Sequence, residues 1–382
     1  MQFALTQEQT QLQDGVQRFV REHYGLQAWR LAARQAPGFR EALWRQMADM
    51  GWLAVGISQA HGGLGMGARE LGVVMENLGA GLVLEPYFSS AVLGAKLLQT
   101  AGSDAQCREM LPQVADGSLR LTLALHEPGM RYDWTRANLQ AHADGDGWRL
   151  SGEKSAVLDG PSAQRLLVVA RASEGLALFC VDAEAQGLRR KDYPTVDERR
   201  CSDFVFDQVR VGAGQRLAAQ GDAQAAVQEA IDWSVVALGA EAMGAMSVLL
   251  QSTVDYLKTR KQFGRPLSEF QALRHRVADM LMAIEQTRSL VDSAAMALDA
   301  QSSDASARAS AAKVQAGQAG RFVGESAVQL HGGIGMTDEL HLGHYVKRLM
   351  AIDFLLGDSA YHLQRFAGLD REFSALPGAT PR

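Results

Sequence analysis

The chain has 382 residues, 47% hydrophobic and 21% charged, which is ordinary for a globular protein of two or three domains. Its net charge of −5 and isoelectric point near 6.0 exclude the basic surface expected of a nucleic-acid-binding protein. Its three scattered cysteines, its N-terminus without signal-peptide character and its lack of an apolar run of roughly 20 residues predict a reduced, cytoplasmic protein without a membrane span.

Residues 1–118 predict an N-terminal helical domain. Thr6 and Gln9 have the spacing of a capping box. The apolar residues that follow recur on one face of a helix, namely Leu12, Val16, Phe19 and Val20. Similar stripes around Trp44 and Met75 extend the helical pattern through this stretch.

Residues 119–215 change to the pattern of a β domain. The segment 119–125 alternates between apolar and polar residues, and 166–170 and 176–181 are short apolar runs. Asp-Gly-Asp-Gly at 144–147 is a hairpin-turn signal. Strands at this short spacing, with no helical pattern between them, predict a central sheet or barrel.

Residues 222–370 return to an alanine-rich helical pattern and predict a C-terminal helical domain. The periodicity predicts four helices, over 223–259, 268–300, 304–330 and 342–367. Residues 371–382 predict a flexible tail.

The most informative segment is 256–271, Tyr-Leu-Lys-Thr-Arg-Lys-Gln-Phe-Gly-Arg-Pro-Leu-Ser-Glu-Phe-Gln. Its cations follow a predicted helix that Gly264 is expected to end. Cations at this position stabilise the helix dipole without any further role. Arg260 and Lys261 beside Phe263 would equally suit a phosphate attached to a ring system. The residues alone leave both explanations open.

A second glycine-rich segment, Gln-Leu-His-Gly-Gly-Ile-Gly-Met-Thr, covers 329–337. Its three glycines permit positive φ angles and close approach of the backbone to a ligand. A simple turn between two helices would explain them equally well.

Several common sites are missing from the sequence. It contains no G-x-G-x-x-G after a strand, no P-loop and no G-x-S-x-G, which excludes their usual nucleotide and nucleophile chemistry. His341 and His344 have no third ligand near them in sequence, so no metal site is predicted.

Together the two segments resemble motifs of the acyl-CoA dehydrogenases, Arg-Lys-x-Phe-Gly-x-x-Leu-x-x-x-Gln and Gln-x-x-Gly-Gly-x-Gly-x-Thr. The resemblance implies an α+β fold with an N-terminal helical domain, a central β-barrel domain and a C-terminal four-helix bundle. It also implies FAD-dependent α,β-dehydrogenation of an acyl-CoA thioester to the 2-enoyl-CoA, with electron-transfer flavoprotein as the electron acceptor.

The resemblance assigns a role to each motif residue. Arg260 would contact the FAD pyrophosphate, Phe263 would lie against the cofactor, and Gln271 would reach the adenosine half. The adenine end of an FAD bound mainly by a neighbouring subunit would be contacted by Gln329, Gly332 and Gly333. These roles imply an oligomer: a homodimer, a tetramer, or an α2β2 assembly with a related subunit.

The β domain departs from the family at positions that face the flavin ring. His126 replaces a usual Thr, and Ala156 and Leu158 replace a usual Trp and Thr. The nucleotide contacts therefore match the family better than the flavin-ring contacts.

The catalytic base is the sharpest departure. Members of the family remove the α proton with a carboxylate, but Leu356 stands where the usual Glu would be, with Asp358 two residues later. The other known position for the base falls near Ser234. Glu241 lies two helical turns beyond Ser234 in apolar surroundings, so it is either the base or a structural Glu paired with an Arg from another helix.

These departures resemble a bacterial branch that includes the small subunit of pimeloyl-CoA dehydrogenase and steroid-degrading enzymes built from two different chains. One interpretation is a catalytic subunit, active alone or with a partner. The alternative is a non-catalytic subunit that completes the flavin site of a second chain. An acyl-CoA oxidase or flavin monooxygenase of the same fold is a third interpretation.

Overall fold

The computed structural model describes residues 5–218 and 221–369, and within them helices precede and follow a run of strands. This element order confirms the predicted α+β class, with N-terminal helices, a central sheet and C-terminal helices. The chain forms two compact units that combine segments distant in sequence. The predicted boundaries at 118, 215 and 222 therefore stay predictions, and the predicted tail 371–382 lies outside the described residues.

The first unit contains the segments up to Arg30, Ala68–Val83 and Val235 onwards. Its helices, some of which begin or end outside the unit, are α1 (Gln7–His23), α2 (Leu26–Arg34), α4 (Ala68–Ala80), α7 (Ala223–Thr259), α8 (Gln271–Asp299), α9 (Ala305–His331), α10 (Leu342–Phe354) and α11 (Ser359–Leu369). Helix α9 packs against α8, α10 and α11, which places it at the centre of the C-terminal bundle.

The second unit contains Leu31–Gly67 and Leu84–Ser234. Its helices are α3 (Glu41–Asp49), α5 (Ala95–Ala101) and α6 (Asp104–Ala115), with a π-helical segment at Tyr87–Gly94. Its strands are β1 (Leu121–Ala124), β2 (Gln140–Asp144), β3 (Gly147–Leu158), β4 (Arg165–Ala172), β5 (Gly175–Asp182), β6 (Leu188–Pro194), β7 (Arg200–Gly212) and β8 (Arg216–Leu217).

These strands form one eight-stranded sheet in the order β6-β7-β3-β2-β4-β5-β8, with β1 paired to β4. The β1–β4 and β2–β4 pairs are parallel, and the remaining pairs are antiparallel. The predicted Asp-Gly-Asp-Gly turn is confirmed, since β2 ends at Asp144 and β3 begins at Gly147. The sheet packs around buried Phe179, Phe204 and Phe206.

Local sequence signals account for where several elements begin. The predicted capping box is present at the start of α1, where Thr6 accepts from the Gln9 amide at 3.2 Å and donates its own amide to the Gln9 side chain at 2.9 Å. This arrangement satisfies two amides that would otherwise lack partners at the helix N-terminus.

The sequence was expected to contain no apolar segment long enough to cross a membrane, but α7 is such a segment. By length and composition alone it could cross a membrane, but 78% of its apolar window is buried inside the structure. That is the pattern of a core helix in a folded domain.

Two glycines set how closely α4 and α7 cross. A Cβ on Gly244 would lie 1.8 Å from the carbonyl oxygen of Glu76, and a Cβ on Gly79 would lie 2.2 Å from that of Glu241. Only glycine permits backbones to approach this closely. The crossing fixes the position of Glu241 in the core of the first unit.

The predicted helix stop at Gly264 is wrong in detail. Helix α7 ends at Thr259, and a short hairpin follows, built from β9 (Lys261–Gln262) and β10 (Arg265–Pro266). Phe263 and Gly264 form its two-residue turn with φ angles of 52° and 79°. Positive φ at both positions is the geometry of a type I′ hairpin turn, so the glycine closes a hairpin rather than a helix.

Candidate functional site

A cavity of about 870 Å³ lies where the end of α7, the start of α8 and the end of α9 meet. It is lined by Tyr256, Arg260, Gln262, Leu267, Ala272, Leu273, Arg276, Gln329, Leu330, His331, Gly332, Gly333 and Ile334. The structure thus brings Arg260 together with Gln329, Gly332 and Gly333, although the two motifs are far apart in sequence.

The charge of this cavity is entirely positive. Among the described residues no Asp or Glu lines it, whereas Arg260 and Arg276 do. Within residues 5–218 and 221–369 neither arginine forms an ion pair with a carboxylate, unlike Arg288 on α8 and Arg308 on α9. Two unneutralised guanidinium groups at one concave surface favour an anion, and arginine suits the planar oxygens of a phosphate.

The glycine segment gives the cavity a wall of bare backbone. Gly332 adopts φ 63° and ψ −142°, a conformation open to glycine alone. A Cβ built on either Gly332 or Gly333 would meet no atom within 4 Å. The space beside these two residues is therefore available for a ligand to approach the main chain closely.

Phe263 and Gln271 do not line this cavity. Phe263 is 90% exposed at the tip of the hairpin, where its ring lies 6.1 Å from that of Phe270. Gln271 is the first residue of α8, next to the cavity residue Ala272.

Sequence reasoning missed Tyr256, Arg276 and His331 as parts of this surface. Tyr256 and His331 stack with ring centroids 4.5 Å apart and an interplanar angle of 26°. Arg276 lies four residues after Ala272, so the helical spacing from the cavity wall could have identified it. His331 lies inside the glycine motif, and its type alone gave no sign that it is buried.

Glu241 does not lie in the cavity but forms a buried ion pair. Arg348, on α10, donates from Nε to Glu241 Oε1 and from Nη2 to Oε2, both at 2.8 Å. The two residues are each 2% exposed. Both carboxylate oxygens are occupied by a bidentate partner, and this is the geometry of the structural pair that the sequence left as one of two possibilities.

The loop that contains Leu356 is held by a buried lysine. Lys313, on α9, donates to the carbonyl oxygens of Ile352, Asp353 and Gly357 at 2.7–2.8 Å. Burial lowers the pKa of Lys313 to about 8, although nearby carboxylates act in the opposite direction. Leu356 adopts φ 58°, an uncommon angle for a residue with a side chain. The loop is therefore tightly positioned.

Asp358, the remaining carboxylate near the usual base position, caps the next helix. Its side chain accepts from the Tyr361 amide at 2.8 Å at the start of α11. His362 in the same turn donates from Nε2 to the Leu356 carbonyl oxygen, 3.1 Å away. Burial lowers the pKa of His362 to about 3, so this imidazole is neutral over the physiological range.

In the second unit, Glu127, in the segment after β1, forms a buried ion pair with Lys154 on β3. Lys154 donates to Glu127 at 2.8 Å and to the Leu125 carbonyl at 3.1 Å. Burial opposes ionisation of Glu127, but Lys154 and two backbone amides outweigh it and lower its pKa. Burial and the Lys154 charge lower the pKa of His126, which disfavours its charged form.

Comparison with known families finds three matches in chain order. The N-terminal domain of acyl-CoA dehydrogenase matches residues 6–118, the middle domain 122–209, and the C-terminal domain 218–368. The chain is 30% identical to the acyl-CoA dehydrogenase FadE12 of Mycobacterium tuberculosis, over 88% of this chain and 89% of that protein.

Solved structures show the same similarity. A variant of the Tcur3481–Tcur3483 steroid acyl-CoA dehydrogenase superposes with a TM-score of 0.88 at 34% identity, covering 97% of this chain and 99% of that chain. The ChsE4–ChsE5 complex from Mycobacterium tuberculosis gives a TM-score of 0.89 at 27% identity, covering 99% and 100%. Both are similar to this chain over nearly its whole length.

Proposed function

Because this chain belongs to the acyl-CoA dehydrogenase family, we propose that it takes part in FAD-dependent α,β-dehydrogenation of an acyl-CoA thioester to the 2-enoyl-CoA. FAD would supply the hydride acceptor for the β carbon. The acidic α proton would pass to a carboxylate base. Membership of the family makes the chain an oxidoreductase by class. That FAD is its cofactor and a 2-enoyl-CoA its product is our proposal.

One observation carries the cofactor assignment, namely the cavity with Arg260 and Arg276 and the open backbone of Gly332 and Gly333. Its two guanidinium groups suit the two charges of a pyrophosphate, and its bare glycine wall permits a flat ring to lie against the main chain. The stacked rings of Tyr256 and His331 add an aromatic surface at the same place. These residues fit the nucleotide half of FAD.

In this proposal, the cavity is one part of a cofactor-binding site that another chain completes. On α8 the side chains of Leu281, Met282 and Leu290 are 38–55% exposed, an unusual amount of apolar surface for one helix. Exposed Phe263 at the hairpin tip points to the same conclusion. We infer a dimer or a larger assembly in which Phe263 and Gln271 contact FAD only after association.

The residues of this chain favour a base supplied by a partner chain. Leu356 cannot accept a proton, Asp358 caps α11, and both oxygens of Glu241 are bound to Arg348. The similarity to a complex of two differently named chains, ChsE4–ChsE5, is consistent with such a division of labour. The non-catalytic partner role thus becomes the leading form of the proposal, and Glu241 as the base is its competitor.

The same similarities bear on the substrate. The branch of two-chain enzymes includes members that act on steroid acyl groups and members that act on dicarboxylic ones. Similarity to a steroid acyl-CoA dehydrogenase favours a ring-bearing acyl group over a dicarboxylic one. Electron-transfer flavoprotein as the acceptor and a cytoplasmic location remain part of the proposal on family grounds.

Cofactor content tests this proposal most simply. The chain would be purified alone and after co-expression with a candidate partner chain of the same family from its own organism, and its bound flavin would be identified and counted. We expect FAD, with higher occupancy in the co-purified assembly. Preparations that never contain FAD in either form would contradict the assignment.

A further inference from the structure

His331 lies between two cavities of the first unit. It lines the cationic cavity described above and a second one of about 330 Å³ that also includes His341 and Tyr345. The imidazole is 5% exposed, and Tyr256 stacks on it. Any anion in the first cavity would therefore be close to a buried titratable ring that has no role in the proposed chemistry.

One side of this ring is hydrogen-bonded to the backbone. Nδ1 lies 2.8 Å from the carbonyl oxygen of Ala327, on its own helix, and donates to it. The backbone of Ser252, on α7, also favours the protonated ring. A neutral imidazole carries one N–H, which the Ala327 carbonyl occupies, whereas the imidazolium carries a second N–H for a further acceptor.

In the absence of an anion, the surroundings disfavour the charged ring. Burial lowers the pKa of His331, although the backbone of Ala327 and Ser252 acts in the opposite direction. The charged groups that line the same cavity are the cations Arg260 and Arg276. On the other side lie His341, whose pKa is also lowered by burial, and the hydroxyl of Tyr345, which donates to the Ala80 carbonyl.

We propose that His331 takes up a proton when a pyrophosphate-bearing ligand binds in the cationic cavity, so that ligand binding and proton binding are coupled. The inference rests on the proposed function, since it takes FAD as the ligand. The incoming negative charge offsets both arginines and attracts the imidazolium. The hydrogen bond from the ring to the Ala327 carbonyl then becomes charge-assisted.

The direction of the pH dependence follows from linkage. The ligand raises the pKa of His331 above its value in the free protein, so binding takes up a proton at pH values between the two. The affinity for FAD therefore increases, by at most about tenfold per pH unit, as the pH falls below the pKa of His331 in the FAD-bound protein. The affinity levels off once the pH is below the pKa of His331 in the free protein.

The test is calorimetric titration of FAD into the assembled apoprotein near the ordinary histidine pKa of about 6.5, in buffers of contrasting ionisation enthalpy. FAD is the probe because its pyrophosphate diester does not titrate there. We expect a buffer-dependent heat that reports uptake of a fraction of a proton per site. His331→Gln keeps a donor for Ala327 but does not titrate, so the uptake should disappear.

His341→Gln is the matched control, since it removes a histidine from the adjacent cavity and should leave the uptake unchanged. His331→Asn provides the same test as the glutamine variant if the latter does not fold. FAD binding without proton uptake in the wild type, or equal uptake in the His331 variants, would overturn the inference and leave the cofactor assignment intact. Absence of any FAD binding would instead remove the proposed function, and the inference with it.

Discussion

Glu241→Gln separates the two roles considered for this residue. The substitution preserves shape but leaves Arg348 as a buried charge without a charged partner. If Glu241 is structural, the variant loses stability. If it is the base, the variant keeps its stability and its flavin but loses dehydrogenation by about 10²–10⁴-fold.

The magnitude follows from the geometry of the pair. Two charge-assisted hydrogen bonds of 2.8 Å hold two side chains that are each 2% exposed. Removing one member of such a pair typically costs about 3–5 kcal/mol, because the other charge stays buried. Gln retains one acceptor for the guanidinium, so we expect a loss of about 3 kcal/mol in the free energy of unfolding.

Urea denaturation followed by circular dichroism measures this loss. The unfolding transition at the lowest urea concentration is compared between the wild type and the variants. Glu41→Gln is the control, because Glu41 pairs with Arg120 at 3.1 Å but is 44% exposed, and the same change should cost under about 1 kcal/mol. Unchanged stability of Glu241→Gln, together with lost flavin reduction in the assembly, would refute the structural reasoning and establish Glu241 as the base.

Three further predictions follow from the described contacts. Arg260→Ala and Arg276→Ala should each lower bound FAD measured after gel filtration, whereas Lys258→Ala, in the last turn of α7 and outside the cavity, should not. Equal FAD content in all three variants would count against the cavity. Relative to Lys313→Met, the wild type should become more stable in urea denaturation as the pH rises from about 8 towards 10.5, by at most about 1.4 kcal/mol per pH unit. The reason is that the folded protein releases the Lys313 proton at a lower pH than the unfolded chain does. A stability difference that does not change with pH would show that Lys313 is not desolvated. Sedimentation velocity should show a dimer or larger assembly, and a monomer that binds FAD fully would disprove the shared site.

The sequence predicted three of the four C-terminal helices closely, but the single helix expected over 342–367 is wrong, because α10 ends at Phe354 and α11 begins at Ser359. The helix expected over 223–259 has the bounds Ala223–Thr259, and the Thr6 capping box is present. The hairpin after α7 was missed because Phe263 is a poor residue for a positive φ angle, so the following glycine was interpreted as a helix stop.

Site residues were predicted where a motif contains them and missed where packing selects them. Arg260 and the pair Gly332–Gly333 are adjacent on one cavity wall, as the motifs implied. Arg348 and Lys313 belong to no motif, and their roles arise from helix packing that brings distant segments together. A single sequence contains no signal for such long-range pairs.

Anaerobic titration of the purified assembly with acyl-CoA thioesters tests the central claim most directly. The chain alone and the chain with its related partner would each be mixed with steroid and straight-chain substrates, with flavin reduction followed by absorbance and the enoyl-CoA identified by mass spectrometry. We predict reduction and enoyl-CoA only in the presence of the partner, and loss of both when the partner's carboxylate base is replaced. Full turnover by the chain alone would contradict the claim that a second chain supplies the base.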